Sequence, residues 1–322
     1  MHIKVYNNLM AEHLFIDDIN PRDELYRIIR DEDRCIKYKS YMEHLWNTYQ
    51  PYADKDFPKQ LSQDFHARFW EMYLTCTLIS KSFPVVPKNR ISECPDIVID
   101  DSPRRIFIEA VTCDEGAPIN PDRVPELPVY DVNTIRTAKA SVFPENEILL
   151  RYTGKILDKY KGYVTYLEKG IVSKSDSYII ALNSCKIRQA ILGDGVGGSD
   201  YPLIVKAVLP VGDKAIPISK LSGAPLPWYY QYRPNINRSR GSTIPTDLFL
   251  NDEYVGISGV LYSHTDIANL TTKPGDDFIF IHNPKATVNA IPNEYFKFGI
   301  EYIVEIKDDG FSIGSKDWRE IR

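Results

Sequence analysis

The stretch from Pro95 to Thr112, PDIVIDDSPRRIFIEAVT, restricts the fold more than any other part of the chain. Ile97, Val98 and Ile99 form one apolar run, and Ile106, Phe107 and Ile108 form another. Asp101, Ser102 and Pro103 between them carry turn chemistry, so the segment reads as two antiparallel strands joined by a tight turn. With the turn centred on Ser102 and Pro103, opposite residues have numbers that sum to about 205, and cross-strand neighbours lie about 5 Å apart. Asp96 then faces Glu109. Two carboxylates at one end of an apolar hairpin repel each other and need a compensating charge. A divalent cation supplies it economically, because hard Mg²⁺ is commonly held by one or two carboxylates together with substrate phosphate. Glu109 is the harder of the two to explain otherwise: strand interiors are poor in Glu and buried acids are rare unless paired. For Asp96 the alternative is a plain strand start after proline.

The flanks supply helices. Phe65, Phe69, Met72, Cys76 and Ile79 recur at helical spacing and predict a helix over about 62–82. Ser62 or Asp64 stands where a cap belongs, and Pro84 follows its end. Strands are expected at about 85–88, 96–99 and 106–111. A second helix is expected over about 145–169, with Ile148, Tyr152, Ile156, Tyr160, Tyr163 and Leu167 as its apolar stripe and Gly170 as its stop. Arg151, Lys155 and Lys159 share another face of it. SYIIALN, Ser177–Asn183, reads as a buried strand. Residues 1–60 read as a helical lead-in, and 112–144, rich in Pro, Asp and Asn, as an irregular excursion. The remainder reads as strand-rich, with candidates at 203–209, 254–262, 278–282 and 302–306 and long loops at 193–199 and 222–240.

This pattern resembles the PD-(D/E)XK nuclease superfamily. Pro95-Asp96, then Glu109 in FIEAV on the next strand, then Glu71 in FWEMYL on the preceding helix stand where that superfamily places its acids. The resemblance covers about residues 62–183. It implies an α/β fold with a restriction-endonuclease-like αβββαβ core (61–190) and a mixed central sheet, between an N-terminal helical extension (1–60) and a strand-rich C-terminal region (191–322). It also implies Mg²⁺ or Mn²⁺ held by Asp96, Glu109 and the Ala110 carbonyl, with Glu71 as a further ligand. The implied activity is metal-dependent endonucleolytic cleavage, most readily of DNA, in restriction, phage defence or repair, by a homodimer or a larger defence assembly. One departure is plain: the superfamily's Lys, two positions after the second acid, is Val111 here. The cationic row Arg151, Lys155, Lys159 is the first substitute and Lys88 the next, although such a row is also what an outer helix face looks like.

Composition narrows the partners. The 322 residues carry a net charge of −5, so polyanion binding has to come from a local patch or from metal ions. PWYYQYRPNINRSRGS offers such a patch in Tyr230, Tyr232, Arg233, Arg238 and Arg240, since rings stack on bases and arginines grip phosphate. A packed loop covering the sheet is its other reading. GDGVGGS has no GK[ST] after it and reads as a loop rather than a phosphate cradle. Five scattered cysteines argue against a disulfide framework and for a reducing, cytoplasmic setting. No apolar run approaches a membrane span, and MHIKVYNNLMAEHL lacks signal-peptide character. Two other readings stand beside the nuclease: a non-catalytic nucleic-acid-binding module on the same fold, supported by Val111, and an assembly component whose acids are paired with Arg104 or Arg105.

Overall fold

The computed structural model describes residues 13–88, 94–127, 142–193 and 200–321. Helices α1 (Glu24–Asp31), α2 (Ile36–Tyr49), α3 (Phe57–Leu61) and α4 (Phe65–Ser80) precede the hairpin β1 (Ile97–Asp101) and β2 (Arg104–Thr112). Helix α5 (Glu145–Glu168) leads to β3 (Ser177–Asn183). Then come α6 (Leu203–Val208), β4 (Val211–Ala215), β5 (Tyr229–Tyr232), β6 (Asn235–Asn237), β7 (Thr243–Pro245), β8 (Gly259–Ser263), β9 (Ile279–His282), β10 (Ile300–Lys307) and β11 (Gly310–Asp317). Seven strands make one mixed sheet in the order β1-β2-β3-β8-β9-β10-β11, while β4-β5 and β6-β7 are separate two-stranded ribbons.

The sheet has a helical layer on each face, and side-chain alternation sorts residues between them. Ile97, Ile99, Ile106, Ile108, Ile179 and Ala181 join the core shared with α1 to α4. Phe107, Tyr178, Ile180, Leu182, Val260 and Tyr262 face α5 and α6. Strands β2, β3 and β8 are mutually parallel, which buries both faces and explains the unbroken apolar runs of β3 and β8. Residues after 191 are continuous with the rest, since β8 to β11 extend the sheet directly from β3.

Helix α4 is more deeply buried than a single apolar face requires. Every residue from Trp70 to Leu78 is buried, because α4 lies between the sheet and helices α2 and α3. Its cap is Asp64, whose side chain accepts the Ala67 N–H, rather than Ser62. Asp23 caps α1 and also accepts the Phe65 N–H at 3.0 Å, so one carboxylate ties two helix N-termini together.

Three expectations are corrected. Residues 203–209 form helix α6, not a strand: a short apolar run is ambiguous between the two, and here all six helical residues are buried, including Lys206, whose ammonium meets Glu145 at 2.8 Å. Of 85–88 only Val85 bridges to Ile99 on the outer edge of β1. The expected loop over 222–240 contains β5 and β6, and β11 was not foreseen. Of the glycine-rich stretch 193–199, residues 194–199 lie outside the described set, as do 1–12 of the lead-in and 128–141 of the excursion. Among the described residues no helix is long and apolar enough to cross a membrane.

Candidate active site

The hairpin pairs Ile97 with Ile108, Val98 with Phe107 and Asp101 with Arg104. Continued by one residue, this register sets Asp96 opposite Glu109. Asp96 stands just before β1, where its Oδ2 accepts the Ala110 N–H at 2.8 Å. A residue's N–H and C=O point to the same side of a strand, so the Ala110 carbonyl is directed to the same side as Asp96. Glu109 lies on the α5 side of the sheet, between Ile108 and Ala110 on the other face, and only 8% of it is exposed. Burial first, and the neighbouring Asp96 second, push its carboxyl above the usual range, against the pull of Lys159.

The substitute cation comes from α5. Lys159 Nζ meets Glu109 Oε1 at 2.7 Å. The other carboxylate oxygen, Oε2, is buried without a hydrogen-bond partner. An orphaned buried acceptor of this kind carries a desolvation cost that a bound donor or cation would relieve. The rest of the cationic row goes elsewhere. Arg151, two turns earlier, is held by the Asp114 carbonyl at 2.9 Å and by the Asp114 carboxylate. Lys155 lies near Cys113. Arg104 bonds the Ala290 carbonyl at 2.6 Å and lies 3.9 Å from Asp101. The described ion pair of Glu109 is therefore with Lys159 and not with Arg104 or Arg105.

Both oxygens of Glu71, expected as a further ligand, have protein partners. Oε1 accepts the Tyr49 hydroxyl at 2.6 Å, and Oε2 accepts Arg68 at 2.5 Å. Lys88 stands 3.8 Å from Oε1 and 3.0 Å from Asp54. The site is thus a mosaic in which Asp54, Glu71, Asp96 and Glu109 alternate with Arg68, Lys88 and Lys159. Tyr49, Asp54 and Arg68 carried no motif in the sequence; their signal was only that α4 places Arg68 one turn before Glu71. Among the described residues no three His, Cys, Asp or Glu side chains gather as a metal cage. What fits a hard divalent cation is the smaller set of Asp96, Glu109 and the Ala110 carbonyl, with the orphaned Glu109 oxygen as the supporting observation.

Burial, then Asp96, push the Glu71 carboxyl up to about 7. An acid with a raised folded pKa binds more protons folded than unfolded. Its contribution to stability is full below the unfolded value of 4.5 and is lost as pH rises towards 7. The loss is on the order of 3 kcal/mol. Glu71→Gln should flatten the fall in unfolding free energy between pH 5 and 7.5 in urea titrations, leaving the smaller same-sign slope from Glu109. An unchanged slope would show that Glu71 is ionised throughout.

A cavity of about 440 Å³ opens beside Asp96, lined also by Lys88 and Arg105 with Val86, Val98 and Phe107 as apolar wall. The aromatic-basic cluster is not part of it. Arg233 is held by Glu145 at 2.7 Å, at the first turn of α5, and fourteen residues separate Glu145 from Lys159, about 21 Å of helix. Tyr230 donates to Asp200 at 2.7 Å, Tyr232 is 66% exposed, and Arg238 and Arg240 lie near Asp122. No protein-family model, curated protein or solved structure matches the chain.

Proposed function

We propose that this protein is a metal-dependent nuclease that hydrolyses phosphodiester bonds in DNA on a restriction-endonuclease-like core. One observation carries the reading: the hairpin end brings Asp96 and Glu109 together, and α5 delivers the Lys159 ammonium to the same carboxylate whose second oxygen is left unpartnered. The order of elements supports it. Helix α4, the Val85 bridge, antiparallel β1 and β2, helix α5 and parallel β3 follow the αβββαβ succession.

Asp96, Glu109 and the Ala110 carbonyl would hold Mg²⁺ or Mn²⁺. When bound, such an ion supplies an acidified water and positive charge beside the phosphate. Glu109 orients Lys159, whose ammonium would donate to a phosphate oxygen as negative charge grows there, in place of the Lys absent at Val111. Glu71, braced by Tyr49, holds Arg68 and keeps Lys88 beside the cavity, a positioning role. A second reading, a binding module without catalysis, is favoured by one observation: Lys159 already neutralises part of the acidic pair.

The test is cleavage of supercoiled DNA with Mg²⁺ or Mn²⁺, beside an EDTA control and Asp96→Asn. Nicking that needs metal and disappears in the variant is expected. A salt-sensitive band shift without cleavage supports the binding module, and full activity in Asp96→Asn rules the site out.

A further inference from the structure

The segment between α6 and β6 contains the most exposed apolar surface of the described chain. Strands β4 and β5 form a two-stranded ribbon outside the main sheet, continued towards its tip by the bridge between Ile218 and Pro225. Leu221 at the tip is fully exposed, Ile218 is mostly so and Leu226 nearly half so, and Trp228, Tyr229 and Tyr232 line the returning strand with half or more of their surface in solvent. An isolated two-stranded hairpin is marginal in water, and one that shows its apolar residues outward needs a cover.

At the base of the ribbon lies a groove of about 570 Å³, walled by Tyr201, Val211 and Tyr232 on one side and by Phe311 and Ile313 of β11 on the other. Among the described residues strand β11 is the last strand of the seven-stranded sheet and pairs only with β10. Its outer edge offers unpaired backbone groups beside an apolar trough, which suits an extended apolar segment.

We infer that this arm is the dimerisation device of the protein: two copies lay their ribbons side by side, antiparallel about a two-fold axis, and each tip docks in the groove at the base of the other. Three observations select a second copy as the occupant. The tip stands ten residues beyond Val211, about 33 Å of extended chain, so antiparallel ribbons bring each tip to the partner's base. The arm and groove are complementary surfaces on the same molecule, and a two-fold contact uses both twice. Seven large apolar residues of the arm are 46–101% exposed, the apolar core of a patch of the size one partner contributes to a standard interface, about 800 Å². A nucleic acid fits less well. Between residues 211 and 232 the charged residues are Asp213, Lys214 and Lys220, and Lys214 sits over the Trp228 ring at 4.0 Å. The inference does not depend on the nuclease reading.

Sedimentation velocity of the full chain should show a dimer at micromolar concentration. Leu221→Asp should weaken it at least 100-fold, with unchanged far-ultraviolet circular dichroism and the melting temperature of wild-type protein diluted to the monomer. In a mixture of ¹⁵N-labelled and unlabelled chains, a photo-crosslinker at position 221 should join labelled to unlabelled protein near residues 309–313. Three results would overturn the inference. They are a wild-type monomer at 100 μM, a dimer indifferent to Leu221→Asp, or crosslinks confined to one chain. A monomer whose DNA affinity falls in Leu221→Asp would assign the arm to nucleic acid instead.

Discussion

Glu109→Gln is expected to cost at least about 10³-fold in metal-dependent cleavage while leaving the metal-free protein as stable as before, or more so. The two halves of this expectation have one cause. Ionised Glu109 is buried beside Asp96 with one oxygen unpartnered, an arrangement that stores unfavourable free energy. Gln keeps the shape, removes the like-charge repulsion, and leaves the Lys159 ammonium at the partly exposed end of the pair. Were Glu109 a structural partner of Lys159 and nothing more, the same change would lower the melting temperature. Lys159→Met separates the roles further. It should lower turnover by about 10²-fold, the scale for one donor to a developing anion. It should not weaken Mn²⁺ binding, followed by proton relaxation enhancement, because it removes a competing cation. A drop in Mn²⁺ affinity in Lys159→Met would place Lys159 in the support of the ligands rather than beside the phosphate. The double variant shows whether the two residues act as a unit: a combined loss close to that of Glu109→Gln alone is expected.

The second large effect is on the fold. Trp70→Ala should destabilise the protein by about 3–5 kcal/mol from lost burial, with about 1–3 kcal/mol more from the unpaired carbonyl it leaves. Trp70 is 1% exposed, packs on Tyr73 and Phe278, and donates from Nε1 to the Ala181 carbonyl at 2.9 Å. This is the contact by which α4 is locked to the middle of the sheet, and Glu71 is its neighbour in sequence. Urea unfolding measures the loss. Trp70→Phe, which restores much of the ring but not the donor, should recover more than half of it. A loss under about 1 kcal/mol for Trp70→Ala would mean that α4 is held by its other neighbours and that Glu71 is positioned independently of Trp70.

The hairpin was legible because every signal in it is local. Turn residues, period-two alternation and the pairing of Asp96 with Glu109 all follow from about eighteen consecutive residues, and the register continues as those residues predict. The same holds for α4 and α5, whose periodicities run long enough to be unambiguous, while β3 is an unbroken buried run without alternation. Residues 203–209 failed for the opposite reason: six apolar or aliphatic positions satisfy a strand and a helix equally, and packing against α5 decided for the helix. The departure at Val111 could be read from the chain, and so could the row of three cations offered in its place. Which of the three reaches the acids depends on how α5 lies across the sheet, and that is a matter of distance between elements fifty residues apart. Lys159 meets Glu109, whereas Arg151, on the same face, belongs to Asp114. Glu71 shows the limit most clearly. Its position on the helix before the hairpin was evident, and Arg68, three residues earlier on the same helix, is within reach by helical spacing, but Tyr49 of α2 reaches it only once α2 packs on α4. Sequence alone determined the hairpin, α4, α5 and the pair of carboxylates, because backbone propensity and alternation act over a few residues. Tertiary structure alone decided which charges neutralise which, because Coulomb and hydrogen-bond energies depend on separations that only the packed layers set.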